Sequence, residues 1–488
     1  MIETARAIEI GEFHRFTAAG QPFLYLVPSA AVFALDPCAE AVVGLVSARA
    51  AGIGEADIVE ALAPRFGADA VRATVAELLH ARAVREAAAA RAPARPVIPL
   101  KPVPLQTLVV NVTNQCNLAC TYCYEYGEDK IVDTDIGAQP KFMTEATARA
   151  SVDFLLANSG PTAHLTFFGG ETLLNFPVLK ATVAYARTRA REEGKRLDFA
   201  LTTNATLLKP EIIEFLLDEG VGVTISIDGP KEVQDRFRVF HGGTGSYEIV
   251  TPKIKALLAR HTGRPIGARV TLTRETLEIG RIFRHLTEEV GFRSVGFAPV
   301  TTAAQREFAI GEDGYDRLLE QFRALAFEYR DAMLETRWHA FSNVRETLAE
   351  IHQGHAKAYP CGAGIGLMGV ATDGQVNLCH RFAGSAEHRF GSVDAGIDRE
   401  RQGAFLDAHH IDRKTDCATC WARPICSGGC YHEAHIRHGA TTRANLHYCE
   451  WIRGWTDTCL EIYGELAVKN PRVLSQFDGE DHEAPFSH

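Results

Sequence analysis

Two short apolar runs, Phe23-Leu24-Tyr25-Leu26-Val27 and Ala31-Val32-Phe33-Ala34-Leu35, flank Pro28-Ser29 near the start of the chain. They read as strands around a turn. Helical periodicity follows over Ala39–Arg49, Glu55–Phe66 and Ala70–Arg82. Strands followed by three short helices predict a winged-helix-like unit over residues 1–88. Residues 89–104 are rich in Ala and Pro without periodicity and read as a linker. From Leu105 apolar runs alternate with amphipathic stretches. The runs Leu108–Val112, His164–Phe168, Asp198–Thr202, Gly222–Ile227, Ala268–Leu272 and Val295–Pro299 predict strands. Helical patterns lie near 145–158, 178–193, 210–219, 246–260 and 277–290, with Pro210 suited to a first helical position. Six βα units over 105–340 predict a parallel sheet, either curved as a partial barrel or open and doubly wound. Functional groups belong at the C-terminal strand ends of such a sheet. Beyond about residue 340 the alternation stops and cysteines concentrate, which predicts a further unit over 341–470. Residues 471–488 read as a tail, polar and frayed from Gln476 onward.

Composition narrows the class. A length of 488 residues suggests about three domains. No apolar run approaches the roughly 18 residues that span a bilayer. The first ten residues lack a signal-type apolar core. A cytoplasmic protein with no membrane partner is expected. In a reducing compartment the 12 cysteines point to metal ligation or catalysis before disulfides. A net charge of −10 offers no basic footprint for nucleic acid.

Cys116, Cys120 and Cys123 stand just past the first predicted strand of the α/β region. Three thiolates so close can ligate three corners of a cubane iron–sulfur cluster and leave the fourth iron open. A structural zinc site is the alternative, but it wants four ligands, and no fourth Cys or His follows before His164. Buried unligated cysteines are a further reading.

This Cys-x3-Cys-x2-Cys run, with Tyr122 before its last cysteine, resembles the radical S-adenosylmethionine (SAM) superfamily. The resemblance implies a (βα)6 partial TIM barrel. It also implies a [4Fe-4S] cluster whose open iron binds the methionine amine and carboxylate of SAM, and reductive cleavage to a 5′-deoxyadenosyl radical. Gly169-Gly170-Glu171 follows the second strand, where glycines admit the methionine amine and a carboxylate complements it. Thr172 stands where the family usually has Pro. Thr203 and Asn204 end the third strand. Ser226 and Asp228 end the fourth, as candidates for the ribose hydroxyls. Arg238 matches a recurrent family position, and Arg269 is a candidate partner for the methionine carboxylate.

A second resemblance rests on Cys361, Gly374-x4-Cys379, Cys417-x2-Cys420-x5-Cys426-x3-Cys430 and Cys449. This pattern is similar to the SPASM domain of peptide-modifying radical enzymes; paired zinc knuckles are the alternative. Carried over, Cys417, Cys420, Cys426 and Cys449 hold one auxiliary [4Fe-4S] cluster. Cys361, Cys379 and Cys430 hold another, making three clusters in all. Ala356-Lys357-Ala358-Tyr359-Pro360 lacks the extra cysteine of some relatives, so the second of these sets has an open iron or an unforeseen ligand. Cys38 and Cys459 read as buried apolar cysteines, with Cys459 a distant candidate for the missing ligand.

The N-terminal unit resembles the module with which ribosomal-peptide maturases bind a leader strand at a sheet edge. Phe13-His14-Arg15-Phe16, Cys426-Ser427-Gly428-Gly429-Cys430-Tyr431-His432-Glu433 and Asn445–Arg453 resemble the maturation proteins of quinohemoprotein amine dehydrogenase. That family implies thioether bonds from Cys sulfur to Asp or Glu methylene carbon within the dehydrogenase small subunit. It also implies a reductant such as flavodoxin or ferredoxin. Hydrogen abstraction from the methylene, attack by the thiolate and loss of an electron through the auxiliary clusters are the implied steps. Asp373 is the candidate base, although beside Gly374 it also reads as a turn residue; His380 is another. Sulfatase formylglycine formation, epimerisation and C–C crosslinking are alternative activities. A non-catalytic electron-transfer protein is the alternative of another class.

Overall fold

In the computed structural model the described residues are 7–87, 103–124, 140–263 and 265–479. Most of the expected linker, at 88–102, lies outside them. The N-terminal region runs β1 (Ala7–Ile10), β2 (Phe13–Ala18), β3 (Gln21–Leu26), β4 (Ala31–Ala34), α1 (Pro37–Ser47), β5 (Ile53–Gly54), α2 (Glu55–Phe66), α3 (Ala68–His80) and β6 (Val84–Glu86). β5-β1-β6 and β2-β3-β4 are two small antiparallel sheets. Pro37 opens α1 behind Asp36, whose side chain accepts from Ala39 N. The three helices share one core with both sheets, through Ile8, Leu24, Leu26, Val42, Ile58, Val71 and Leu78. Strands β1, β2, β5 and β6 escaped the apolar-run criterion because they are short or alternate with polar residues.

All six expected strands of the α/β region form. They are β7 (Leu105–Thr113), β8 (Ser159–Gly169), β9 (Arg196–Thr203), β10 (Gly222–Ser226), β11 (Gly267–Leu272) and β12 (Ser294–Pro299), parallel and in sequential order. The helices between them are α4 (Glu145–Asn158), α5 (Phe176–Glu192), α6 (Pro210–Asp218), α7 (Lys231–Phe237), α8 (Tyr247–Arg260) and α9 (Ile279–Arg284). The helical pattern over 277–290 is α-helical only in α9 and continues as a π turn to Val290. Strand alternation sorts the two faces of the sheet. Leu108, Val110, Leu165, Phe167, Leu201, Ile225 and Val270 are buried in the main core. Thr166, Thr202, Thr224, Ser226, Arg269 and Thr271 occupy the opposite, inner face.

The sheet does not stop with β12 and β7. After α10 (Glu312–Leu334) and α11 (Ser342–Gln353), β13 (Leu367–Val370) pairs parallel with β7, Val370 opposite Val110. β14 (Gln375–Asn377), β15 (Arg389–Ser392) and β16 (Gly396–Ile397) extend it antiparallel to ten strands. Helices α12 (Arg399–His409), α13 (Arg423–Cys426), α14 (Tyr431–His438) and α15 (Cys449–Lys469) complete the chain. α15 packs on α10, α11 and β2. A Cβ on Gly464 of α15 would meet Ala18 Cβ at 2.6 Å, so glycine is what lets β2 approach. Phe16, Phe23 and Tyr25 thereby join the main core while Leu24 and Leu26 serve the N-terminal one. The tail expectation needs correction: Pro471–Phe477 is a 3-10 turn with Val473, Leu474 and Phe477 buried. Residues 480–488 lie outside the described residues.

Candidate functional site

β7 ends at Thr113, and the loop beyond it carries Cys116, Cys120 and Cys123. Three neighbours pin this loop. Glu171 N donates to Gln115 O at 2.9 Å and Ala119 N donates to Val239 O at 2.8 Å. Asn117 Nδ2 donates to Thr206 Oγ1 at 2.8 Å. Leu118 is its buried apolar anchor and bridges to Phe240. All three cysteines are half-buried, and none forms a disulfide. Burial pushes the thiols of Cys116 and Cys120 up to about 12, with the neighbouring cysteines adding to it. Crowded buried thiols become thiolates when a bound cation displaces their protons. Their spacing bears on which cation. Tetrahedral zinc would bring sulfurs to about 3.8 Å from one another. No three cysteine sulfurs lie within 4.8 Å of one another among the described residues. The set fits a larger polynuclear group better than a single zinc ion.

The ends of β8 and β9 close around this loop. Gly169 has φ +129°, and a Cβ there would fall 2.1 Å from Thr113 O, so only glycine lets β8 end against β7. Gly170 N donates to Thr113 O at 3.1 Å. Glu171 is fully buried. One of its oxygens accepts from Thr203 Oγ1 at 2.6 Å and Leu173 N at 3.1 Å; the other accepts from Asn204 N at 2.7 Å. Burial raises its pKa, and these three donors oppose the rise. With about four acceptor positions on a carboxylate, these donors take three, and none of the side chain is open to solvent. Asn204 also donates to Asn117 Oδ1 at 3.1 Å and approaches Cys116 Sγ at 3.8 Å.

Asp228 is committed elsewhere than a ribose. Its carboxylate accepts from Tyr122 OH and from Thr271 N at 3.0 Å, and Arg238 Nε lies 3.0 Å away. All three side chains, Asp228, Tyr122 and Arg238, are buried. The Arg238 guanidinium also lies 5.5 Å from the Tyr122 ring centroid and helps to lower the Cys120 thiol. This cluster braces the cysteine loop from below. Ser226, half-buried at the end of β10, remains on the inner face beside Arg269, its partner in register. Arg269 is open to solvent, yet desolvation by the protein around it, aided by the charge of Arg381 and opposed by that of Glu346, lowers its pKa below the ordinary arginine value.

The later cysteines fall into two sets. Cys361 and Cys379 both lie within electrostatic reach of Cys430. Cys417, Cys426 and Cys449 all lie within reach of Cys420. Burial pushes Cys379 up to about 12 and Cys426 to about 11. Gly369 of β13 makes room for Cys379: a Cβ there would sit 2.5 Å from its carbonyl carbon. Between the sets lies Lys414, 5% exposed and donating to Ser427 O at 3.2 Å. Burial lowers its pKa, and Cys417, Cys426, Cys361 and Cys430 work to keep it charged. The local sequence shows only Cys417 beside this lysine; its other neighbours, Cys361 and the 426–431 segment, are brought to it by folding.

Three residues link the first cysteine loop to the Cys361/Cys379/Cys430 set. The His380 ring lies 4.6 Å from that of Phe168, next to Gly169, and its Nδ1 is buried without a hydrogen-bond partner. Arg381 lies over the Tyr124 ring and donates to Thr301 Oγ1 at 3.1 Å. His432 lies 5.3 Å from the same tyrosine, centroid to centroid. Asp373, the candidate base, is instead an exposed turn residue accepting from Gln375 N at 3.0 Å, with Gly374 N bonded back to Ala371 O. Cys38 is buried in the N-terminal core, near Thr74. Cys459 is fully buried beside Thr347, so it is a core residue and not a missing ligand.

Residues 110–308 match the Radical SAM superfamily. An uncharacterised protein of Methanocaldococcus jannaschii is 31% identical over 193 residues, covering 40% of this chain and 62% of its own length. The serine-type anaerobic sulfatase-maturating enzyme of Klebsiella aerogenes is 25% identical over 361 residues, 71% of this chain and 84% of that enzyme. Native anSMEcpe with bound AdoMet and Cp18Cys peptide shares the fold with a TM-score of 0.60 at 18% identity, over 77% of this chain and 99% of that one. No helix among the described residues is long and apolar enough to cross a membrane.

Proposed function

We propose that the radical SAM domain at residues 110–308 works, together with the later cysteines, on a ribosomally made polypeptide, forming thioether bonds from Cys sulfur to the methylene carbon of Asp or Glu. The candidate substrate is the small subunit of quinohemoprotein amine dehydrogenase. One observation carries the reading. The cysteine loop after β7 and the Cys361/Cys379/Cys430 set are neighbours, linked by the ring contacts Phe168–His380 and Tyr124–Arg381. Chemistry started at one set is therefore within reach of the other.

Cys116, Cys120 and Cys123 would hold a [4Fe-4S] cluster, and the two later sets would hold auxiliary ones. Bound there, the first cluster with SAM supplies a 5′-deoxyadenosyl radical. The chain's own residues do the rest. Gly169-Gly170-Glu171 would stand beside the methionine amine, with Gly169 seating β8 against Thr113 and the buried Glu171 supplying negative charge. Ser226 faces the ribose. Arg269 and Arg381 are two neighbouring cations at the inner face, enough for the methionine carboxylate and the carboxylate of a substrate Asp or Glu. Phe168 and His380 would provide an apolar wall between the two sets. Net bond formation removes one hydrogen atom from the methylene, one proton from the thiol and one electron. The β2-β3-β4 sheet, fixed to α15, would present an edge strand to a leader segment.

Formylglycine formation is the second reading, favoured by the Klebsiella relative. Mass spectrometry of the candidate subunit co-expressed with this protein separates them. A thioether loses two hydrogens and one alkylatable thiol per bond. Formylglycine made from serine loses two hydrogens but keeps its cysteine thiols and gains a hydrazide-reactive carbonyl. Unchanged thiols would overturn the proposal.

A further inference from the structure

Behind the Cys361/Cys379/Cys430 set, side chains from two elements converge on a point that none of the roles above uses. Glu387 and His388 lie just before β15, and His435 lies on α14. One ligand atom from each lies within 4.8 Å of the other two. No other three His, Cys, Asp or Glu side chains meet so closely among the described residues.

The histidines are prepared as ligands. His388 is 5% exposed, and its Nδ1 pairs with Ser385 Oγ at 2.9 Å, which leaves Nε2 as its free ligand atom. A hydrogen bond to the far ring nitrogen is how metal-binding imidazoles are oriented. Phe382 stacks on the ring at 4.1 Å and fixes its plane. Burial lowers the His388 pKa to about 4, so the imidazole stands neutral. His435 crosses it nearly at right angles, centroids 5.0 Å apart. Nδ1 of His435 is buried with no hydrogen-bond partner, a state that calls for an explanation in a folded protein. Arg401 spends its guanidinium on the carbonyl oxygens of Ala386 and Glu387, not on the Glu387 carboxylate.

We propose that Glu387, His388 and His435 bind a zinc-type divalent cation, separate from the iron–sulfur centres, with water in the remaining position. Two imidazoles and a carboxylate are a zinc donor set. Its consequence is mechanical. Cys430 caps the N-terminus of α14, and Cys379 follows β14. A cation joining α14 to the segment before β15 holds these two cysteines at a fixed separation.

The test uses the full-length protein with its clusters reconstituted anaerobically. It is exposed to zinc chloride, desalted, and assayed for zinc and iron by elemental analysis and zinc K-edge absorption. The expected result is one zinc retained per chain in a shell of nitrogen and oxygen at about 2.0–2.1 Å. Glu387→Ala, at an exposed position where substitutions cost little stability, and His435→Gln should each weaken zinc retention at least tenfold with iron unchanged. No retained zinc would overturn the proposal. So would a sulfur shell near 2.3 Å, or zinc held equally well by both variants.

Discussion

The guanidinium of Arg381 lies 4.4 Å from the centroid of the Tyr124 ring. Tyr124 follows the last cysteine of the first loop, and Arg381 stands two residues past Cys379. A half-buried arginine in this position has charge to offer a carboxylate at the meeting point of the two cysteine sets. Arg381→Met is expected to lower modification of the polypeptide at least tenfold while 5′-deoxyadenosine still forms without substrate. Parallel measurement of product and deoxyadenosine checks this. Equal loss of both would make Arg381 part of the SAM site instead.

Glu171 joins the ends of β8 and β9 through three donors. Glu171→Gln turns one acceptor oxygen into an NH2 group facing a donor. A buried donor left without its acceptor costs about 1–3 kcal/mol. Urea unfolding of the cluster-free protein should show a loss of that size, and calorimetry of the reconstituted protein should show weaker SAM binding. An unchanged midpoint would mean that another group carries the joint.

Lys414 senses cysteines of both later sets. A cation beside a cluster stabilises its more reduced, more negative state. Lys414→Met is therefore expected to shift both auxiliary potentials in the negative direction and leave the first cluster unmoved. Potentiometric titration followed by electron paramagnetic resonance reads this. A shift in one auxiliary cluster alone would place the lysine with that set.

His339 stacks on Phe283 at 5.1 Å, and burial lowers its pKa from 6.5 to about 4. The unfolded chain binds a proton near 6.5 that the folded chain refuses until about 4. Its contribution to stability is thus present above pH 6.5 and lost as pH falls through that window. His339→Phe should flatten the fall in melting temperature across it, read by scanning calorimetry. An equally steep fall in the variant would assign the acid sensitivity to other groups.

The six strands of the α/β region were legible because each is an apolar run long enough to stand out, and the cysteine sets because their spacings are distinctive. β13 to β16 were not legible. Each has four residues or fewer, and the pairing of β13 with β7, on which the other three build, is decided over more than 250 residues of intervening chain. Asp228 sits at a strand end, where a ligand contact is a fair expectation. Tyr122 and Arg238 reach it from elsewhere and take its oxygens. Val473, Leu474 and Phe477 lie among polar neighbours, and burial against the rest of the chain overrides that local pattern. Arg381 and Lys414 have no local signature, since what makes each unusual is the company assembled by folding.

The parallel pairing of β13 with β7 sets a ruler between the two chemical centres. β7 delivers the first cysteine loop, and β13 and β14 lead to Cys379, so both positions are counted along one hydrogen-bonded ladder. A slip of one residue would move one centre by about 3.3 Å and turn its side chains to the wrong face. Between clusters held at these positions, as proposed, the distance an electron crosses would come in discrete steps. Loops can lengthen or change around them, and with them the polypeptide accepted, while the interval stays constant.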